Sequence, residues 1–253
     1  MRDVILTKIK EIESGETVRI LYAAESGSRA WGFASPDSDY DVRFIYVRKP
    51  EDYIRVLPMR DVIEWQLDNT LDINGWDIQK ALQLLLKSNP TLFEWANSPI
   101  VYQTSPDWES LKSIMDSFFS PKSSAHHYLH MAEGNYRTFL KTETVKQKKY
   151  LYVLRPILSC RWIIHTQTPP PMEFNSLVEA ELDPKYLPPV KELLESKKVT
   201  SELGTIARID LLNEYIEEQL AELENAVSSF PKDAHHDVSI LNGQLQKIVM
   251  GKK

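Results

Sequence analysis

Ser26-Gly27-Ser28-Arg29-Ala30-Trp31-Gly32, followed by Ser38-Asp39-Tyr40-Asp41-Val42, is the stretch on which the reading of this chain turns. Thr17 to Ala24 (TVRILYAA), just before it, reads as a buried strand with Val18, Ile20 and Tyr22 on one face. Asp39 to Val47 alternates, with Tyr40, Val42, Phe44 and Tyr46 pointing one way and Asp39, Asp41 and Arg43 the other. A Gly-Ser pair after a strand and at the start of a helix offers backbone N–H groups and a hydroxyl to a phosphate, and the helix dipole adds to this. Two residues apart on a strand, Asp39 and Asp41 face the same side with Cα atoms about 6.6 Å apart. From there each reaches one or both of a pair of divalent cations roughly 3.5–4 Å apart. Carboxylates crowded in this way need a cation or water to neutralise them. Alone, an Asp-x-Asp is a solvated strand face and a Gly-Ser is a turn. Together, in this order and between two strands, they point to metal-assisted phosphate chemistry.

Outward from this stretch, Asp61 to Leu67 and Thr70 to Ile73 read as further short strands, and Gly27, Gly32 and Gly75 as turn positions. From Gly75 onward the periodicity becomes helical. Trp76 to Ser88 is a helix stopped by Asn89-Pro90. Ser105-Pro106 caps a helix running to about Phe119. Ser123 to Lys141 and Thr144 to Thr166 follow as long helices, the second interrupted by Pro156. Gln167 to Pro171 is a stiff break, Ser176 and Glu179 have capping-box spacing, and Leu203 to Val227 is a strong helix former. No repeat or low-complexity tract interrupts this order. The fold class expected is α+β, a small mixed-sheet domain over residues 1–115 followed by an all-helical domain over 116–253.

With 253 residues, 42% hydrophobic and 26% charged, the chain lies outside the disordered, collagenous and coiled-coil classes. It has no apolar run of membrane-spanning length and no secretory signal at its N-terminus. Its one cysteine, Cys160, suits a reducing cytoplasm. The net charge of −6 disfavours a protein that grips nucleic acid with its whole surface, so a polyanion has to meet a local basic patch or a metal-bridged site.

Gly27-Ser28, the ten-residue gap from Arg29 to Ser38, and Asp39-Tyr40-Asp41-Val42 resemble the signature of the DNA polymerase beta-like nucleotidyltransferase superfamily. One departure is that Ser26 precedes Gly27 where the superfamily has an apolar residue. Asn74-Gly75-Trp76-Asp77-Ile78, Lys87-Ser88-Asn89-Pro90, Glu94-Trp95 with Ser98-Pro99, and Lys148-Lys149-Tyr150 through Arg155-Pro156 to Arg161-Trp162 are similar to its RNA-repair-associated, RlaP-like branch. The resemblance covers roughly residues 17 to 165. It implies transfer of a nucleoside monophosphate from an NTP with two Mg²⁺ ions, Mn²⁺ being a substitute. Gly27 and Ser28 would hold the β and γ phosphates, Arg29 would assist, and Asp39 and Asp41 would ligate the metals.

The resemblance also implies a third carboxylate from a neighbouring strand. Asp72 is the choice, at the end of a short apolar-flanked segment. Asp77, as a first-turn helix residue, and Glu64, on a strand, are the alternatives. Lys141, Lys146, Lys148 and Lys149 cluster with Tyr150, Tyr152 and Arg155. They form either a solvated helix face or, with Lys149 and Arg155 as the nucleotide-binding members, a wall that meets triphosphate or an RNA backbone. His126, His127 and His130 read as a helix-surface group, since no HExxH glutamate or nearby cysteine accompanies them. Cys160 reads as a small buried hydrophobe, and Trp65, Trp76, Trp95 and Trp162 as core anchors. Motifs of P-loop ATPases, Rossmann dehydrogenases and nucleophile-elbow hydrolases are missing.

The activity expected is Mg²⁺-dependent nucleotidyl transfer to an acceptor hydroxyl, with an RNA or tRNA 3′ end as leading acceptor. A protein side chain is the second acceptor. A non-catalytic NTP- or RNA-binding module on the same fold is the third reading, and the retained Asp39 and Asp41 argue against it. No membrane partner is expected.

Overall fold

A computed structural model describes residues 1–66, 70–199, 204–231 and 237–251. Leu67 and Leu203, which bound two of the expected elements, lie outside the described residues. The chain forms two compact units, Met1–Gly27 with Asp39–Phe118 and His235–Lys253, and Ser28–Ser38 with Phe119–Ala234.

The first unit is built on a five-stranded sheet of order β3-β4-β2-β1-β5. Its strands are β1 (Arg19–Ser26), β2 (Tyr40–Val47), β3 (Val62–Gln66), β4 (Leu71–Asp77) and β5 (Val101–Thr104). Only β2 and β4 run parallel, so the sheet is mixed. Val42, Phe44 and Tyr46 of β2 are buried against Ile5, Ile9 and Ile12 of an N-terminal helix, α1 (Arg2–Glu16). The sequence reading assigns no element to residues 2–16. The three buried isoleucines supply a helical stripe, but polar neighbours surround it. Thr17, in the left-handed region at φ 54°, ends the helix by returning its N–H to Glu13 O.

Gly75 is not a turn, as expected, but an interior residue of β4 facing Phe44 across the parallel pair. A Cβ there would lie 2.1 Å from the Phe44 ring, so the ring takes the room that a side chain would need. After the single-turn α2 (Gly27–Ala30), the next helix, α3 (Ile78–Leu86), starts two residues later than expected. Trp76 and Asp77 still belong to β4, and the Asp77 carboxylate accepts the Gln79 N–H at 2.8 Å as N-cap. Helices α4 (Pro90–Ala96) and α5 (Pro106–Met115) follow, the latter capped by Ser105 as its sequence predicts. α5 is shorter than expected, because Asp116–Phe118 continues it as a 3₁₀ turn.

In the second unit, α6 (Pro121–Phe139) and α7 (Lys148–Thr166) pack together, joined by α8 (Phe174–Glu181), α9 (Leu187–Val199) and α10 (Asp210–Ser228). This helical unit carries one antiparallel ribbon, β6 (Thr144–Lys146) against β7 (Thr205–Ala207). The ribbon delays two helices relative to expectation. Thr144 begins a strand, so α7 starts at Lys148, and the helix expected from Leu203 starts at Asp210. Ser176 and Glu179 lie inside α8, whose N-cap is Glu173, so their spacing is not a capping box. The last helix, α11 (Val238–Met250), returns to the first unit and contacts α3. Among the described residues no helix is long and apolar enough to cross a membrane.

Candidate active site

Sheet register assembles the acidic site. Antiparallel pairing sets Ser26 opposite Asp41, and parallel pairing sets Asp72 beside Asp41. Gly27 follows at φ +60°, and a Cβ built on it would lie 1.9 Å from Asp41 Oδ2. Glycine is therefore required twice, for the left-handed backbone and for the close approach of carboxylate to main chain. Gly27→Ala is expected to force the Asp41 carboxylate out of place while costing only about 1–2 kcal/mol of backbone strain. Near-native unfolding, with the acidic pair displaced, is the expected reading.

Between the two carboxylates stands Arg43, two residues along β2 and on the same face as Asp41. Its Nη2 donates to Asp41 Oδ1 at 2.9 Å and to Asp72 Oδ2 at 2.7 Å. Its Nη1 donates to the backbone oxygens of Asp72 at 3.0 Å and Val42 at 3.2 Å. Asp39 is exposed immediately before β2. Among the described residues, no three His, Cys, Asp or Glu side chains gather into one metal-holding group. The pair itself fits a hard divalent cation. Two carboxylate oxygens converge on a single positive nitrogen, the oxygen chemistry and arrangement such an ion takes.

Glu25, which the sequence reading passes over, supports this arrangement from below. It is 1% exposed. Its Oε1 accepts the Asp41 backbone N–H at 2.8 Å, and Tyr102 OH donates to Oε2. Ser98 Oγ donates to its backbone oxygen at 2.6 Å. Burial, and then the Glu25 carboxylate, push the Tyr102 phenol above its ordinary range. A charged residue near the end of an apolar strand, two positions before Gly27-Ser28, is the signal that could have found it. Glu25→Ala removes the acceptor of a buried Tyr102 hydroxyl, worth about 1–3 kcal/mol, and that of the half-buried Asp41 N–H. The urea midpoint of the variant is expected to fall accordingly.

Of the alternatives to Asp72, Asp77 caps α3, accepts Tyr53 OH at 2.9 Å and is pushed upward in pKa mainly by burial. Glu64 is exposed on β3 opposite Asn74. Neither stands beside Asp41.

The stretch after Gly27 belongs to the helical unit. α2 is a single turn, so its dipole is small and the loop offers mainly backbone N–H groups. Ser28 is buried, and its carbonyl accepts Phe33 N–H at 3.0 Å. Arg29 Nη2 donates to Ser38 O at 2.5 Å, tying the two ends of the loop, and the Ser35 and Ser38 hydroxyls lie 2.8 Å apart. Trp31, Phe33, Tyr152 and Phe174 form an aromatic group with centroids 5.4–6.3 Å apart along its contacts. Cations border it: Arg155 lies 4.6 Å from the Trp31 centroid, Lys149 5.3 Å from Tyr152, and Lys197 4.8 Å from Phe33. Arg155, almost fully buried, also donates to Met172 O at 3.2 Å. Lys149 and Arg155 thus border one aromatic group. Lys197 joins them from α9, where a plain Ser-Lys-Lys sequence carries no signal. Lys141 instead pairs with Glu217 at 2.8 Å.

His126, His127 and His130 lie along the surface of α6, with the His126 and His130 rings 6.1 Å apart. Trp95 is buried and stacks on the half-buried Trp76 at 3.8 Å, while Trp65 and Trp162 are partly buried against the cores. Cys160 is fully buried, and burial pushes its thiol up to about 12. Its reaction with a disulfide reagent is expected to be negligible at pH 8 in the folded protein and complete in denaturant. Prompt labelling of the native chain would contradict that environment.

A family model described as "RlaP: RNA repair pathway DNA polymerase beta family" matches residues 1–247. The Bacillus subtilis (strain 168) protein YcgL, described as uncharacterized, is 43% identical over 251 residues, covering 98% of this chain and 96% of that protein. A crystal structure of a nucleotidyltransferase-like protein from Exiguobacterium sibiricum 255-15 aligns at 13% identity with a TM-score of 0.33, covering 98% of this chain and 81% of that one.

Proposed function

Because the chain belongs to the RNA repair pathway DNA polymerase beta family, we propose that it transfers a nucleoside monophosphate from an NTP to an acceptor hydroxyl, with an RNA 3′ end, such as that of tRNA, as the acceptor. The observation that supports this reading is the close approach of the Gly27 main chain to the carboxylate of Asp41, which parallel register sets beside Asp72. The Gly27 and Ser28 backbone holds the β and γ phosphates. Asp41 and Asp72, with Asp39 at the head of the strand, supply the oxygens for Mg²⁺. When bound, Mg²⁺ supplies positive charge to the triphosphate and lowers the pKa of the attacking hydroxyl. Glu25 holds the Asp41 main chain still, so the carboxylate need not reorganise during the reaction. Lys149 and Arg155 are the cations proposed as phosphate contacts. Arg29 acts on the loop itself, keeping its ends together.

In the transfer, the acceptor oxygen bonds to the α-phosphorus and the bond from that phosphorus to the β-phosphate oxygen breaks. Pyrophosphate departs and the acceptor proton passes to solvent. The protein's contribution is positioning and electrostatics. An oligoribonucleotide ending in a 3′-hydroxyl is expected to lengthen, and the same oligonucleotide with a 3′-deoxy end to stay unchanged. Extension of both would overturn the 3′-end reading, and label on a polypeptide with RNA unchanged would move the acceptor to a protein side chain.

A further inference from the structure

The guanidinium of Arg43 stands at the point where the oxygens of Asp41 and Asp72 converge, 2.9 and 2.7 Å from a single nitrogen. We propose that Arg43 is a resident countercharge for the Asp41–Asp72 pair, occupying the place of a divalent cation and displaced when that cation binds. The inference rests on the reading of this pair as a cation site.

Three features lead to it. Parallel register forces the two carboxylates side by side, so without a positive partner they would repel across the strands. Residue 43 shares the face of residue 41 by strand periodicity, so the chain delivers its own cation to the spot. The ion pair is also only partly enclosed, with the Asp72 side chain 51% exposed, so water and a cation can reach it. The two backbone bonds of Arg43, to Val42 O and Asp72 O, fold the side chain back over the strand ends instead of leaving it in solvent. A hard cation and a guanidinium cannot both take the inner position, so metal affinity at this pair is set by competition with Arg43.

The test measures Mn²⁺ binding to chelator-treated protein by electron paramagnetic resonance, without nucleotide. The proteins are the wild type, Arg43→Ala and Arg43→Lys, with Asp41→Asn/Asp72→Asn as the baseline for sites elsewhere. Arg43→Ala is expected to bind Mn²⁺ about tenfold more tightly than the wild type, as loss of one charge-assisted competitor requires. Arg43→Lys, which keeps the charge but not the fork, is expected to fall between the two. In thermal unfolding, Arg43→Ala should melt below the wild type without metal and gain more from saturating Mn²⁺. If Arg43→Ala does not fold, Arg43→Lys carries the comparison. Saturable wild-type binding that is unchanged or weakened in the Arg43 variants overturns the countercharge while leaving the cation site. No binding above the baseline in any of them overturns the cation site itself, and this inference with it.

Discussion

On the proposed function, Asp41→Asn is expected to lower nucleotidyl transfer by about 10³-fold, the equivalent of the several kcal/mol that a held cation would contribute to the transition state. The change keeps the shape of the side chain and removes only its charge. Its backbone N–H still reaches Glu25, and Arg43 still has Asp72, so the fold should be nearly unchanged. A pyrophosphate-release assay, with thermal unfolding run alongside, separates chemistry from stability. Asp72→Asn, at the more exposed member of the pair, is expected to act in the same direction with a smaller factor. Asp77→Asn is the control, because asparagine caps a helix as well as aspartate does. That variant should keep its rate. Full activity in Asp41→Asn, or loss of activity in Asp77→Asn, would show that the acidic site has been placed wrongly.

Gly75→Ala is expected to be the most destabilising single-methyl change in the sheet. The added carbon would meet three atoms of the Phe44 ring at 2.1–2.4 Å, far inside contact distance. Phe44 is fully buried, 5.9 Å from Tyr46 between ring centroids, and packed in the core beneath α1. Overpacking of this kind costs about 1–3 kcal/mol or more. The gain of about 0.5–1 kcal/mol from replacing glycine in a strand does not offset it. At about 2–4 °C per kcal/mol, a net loss of about 2 kcal/mol should lower the melting temperature by about 4–8 °C. Phe44→Leu combined with Gly75→Ala should recover part of the loss, since the two sites share one volume. A double variant no better than the sum of the singles would contradict the contact.

The parts of the site legible in the sequence are those whose chemistry is local. Gly27, Ser28, Asp39 and Asp41 lie within 15 residues of one another in the sequence, where order and spacing carry the meaning. Asp72 could be reached because a short strand had been read there. Its position beside Asp41, though, is a matter of parallel register, which no local pattern encodes. Arg43 was visible on the acidic face, but an alternating strand says nothing about where a long side chain folds back. Glu25 and Lys197 were missed because a buried charge looks like any other until its partners are known. In the fold, β6 and β7 are three-residue strands 59 positions apart that exist only through each other. Thr144 therefore read as the start of a helix. α11 likewise finds its place on α3 through packing between segments far apart in the chain.

The most direct test of the central claim supplies α-labelled ATP, CTP, GTP and UTP separately, with Mg²⁺ and with or without total tRNA, to the wild type and to Asp39→Ala/Asp41→Ala. The account predicts label on RNA in the wild type, from at least one nucleotide, and none in the double variant. Equal labelling by both proteins, or no transfer and no pyrophosphate from the wild type under any of these conditions, would contradict it.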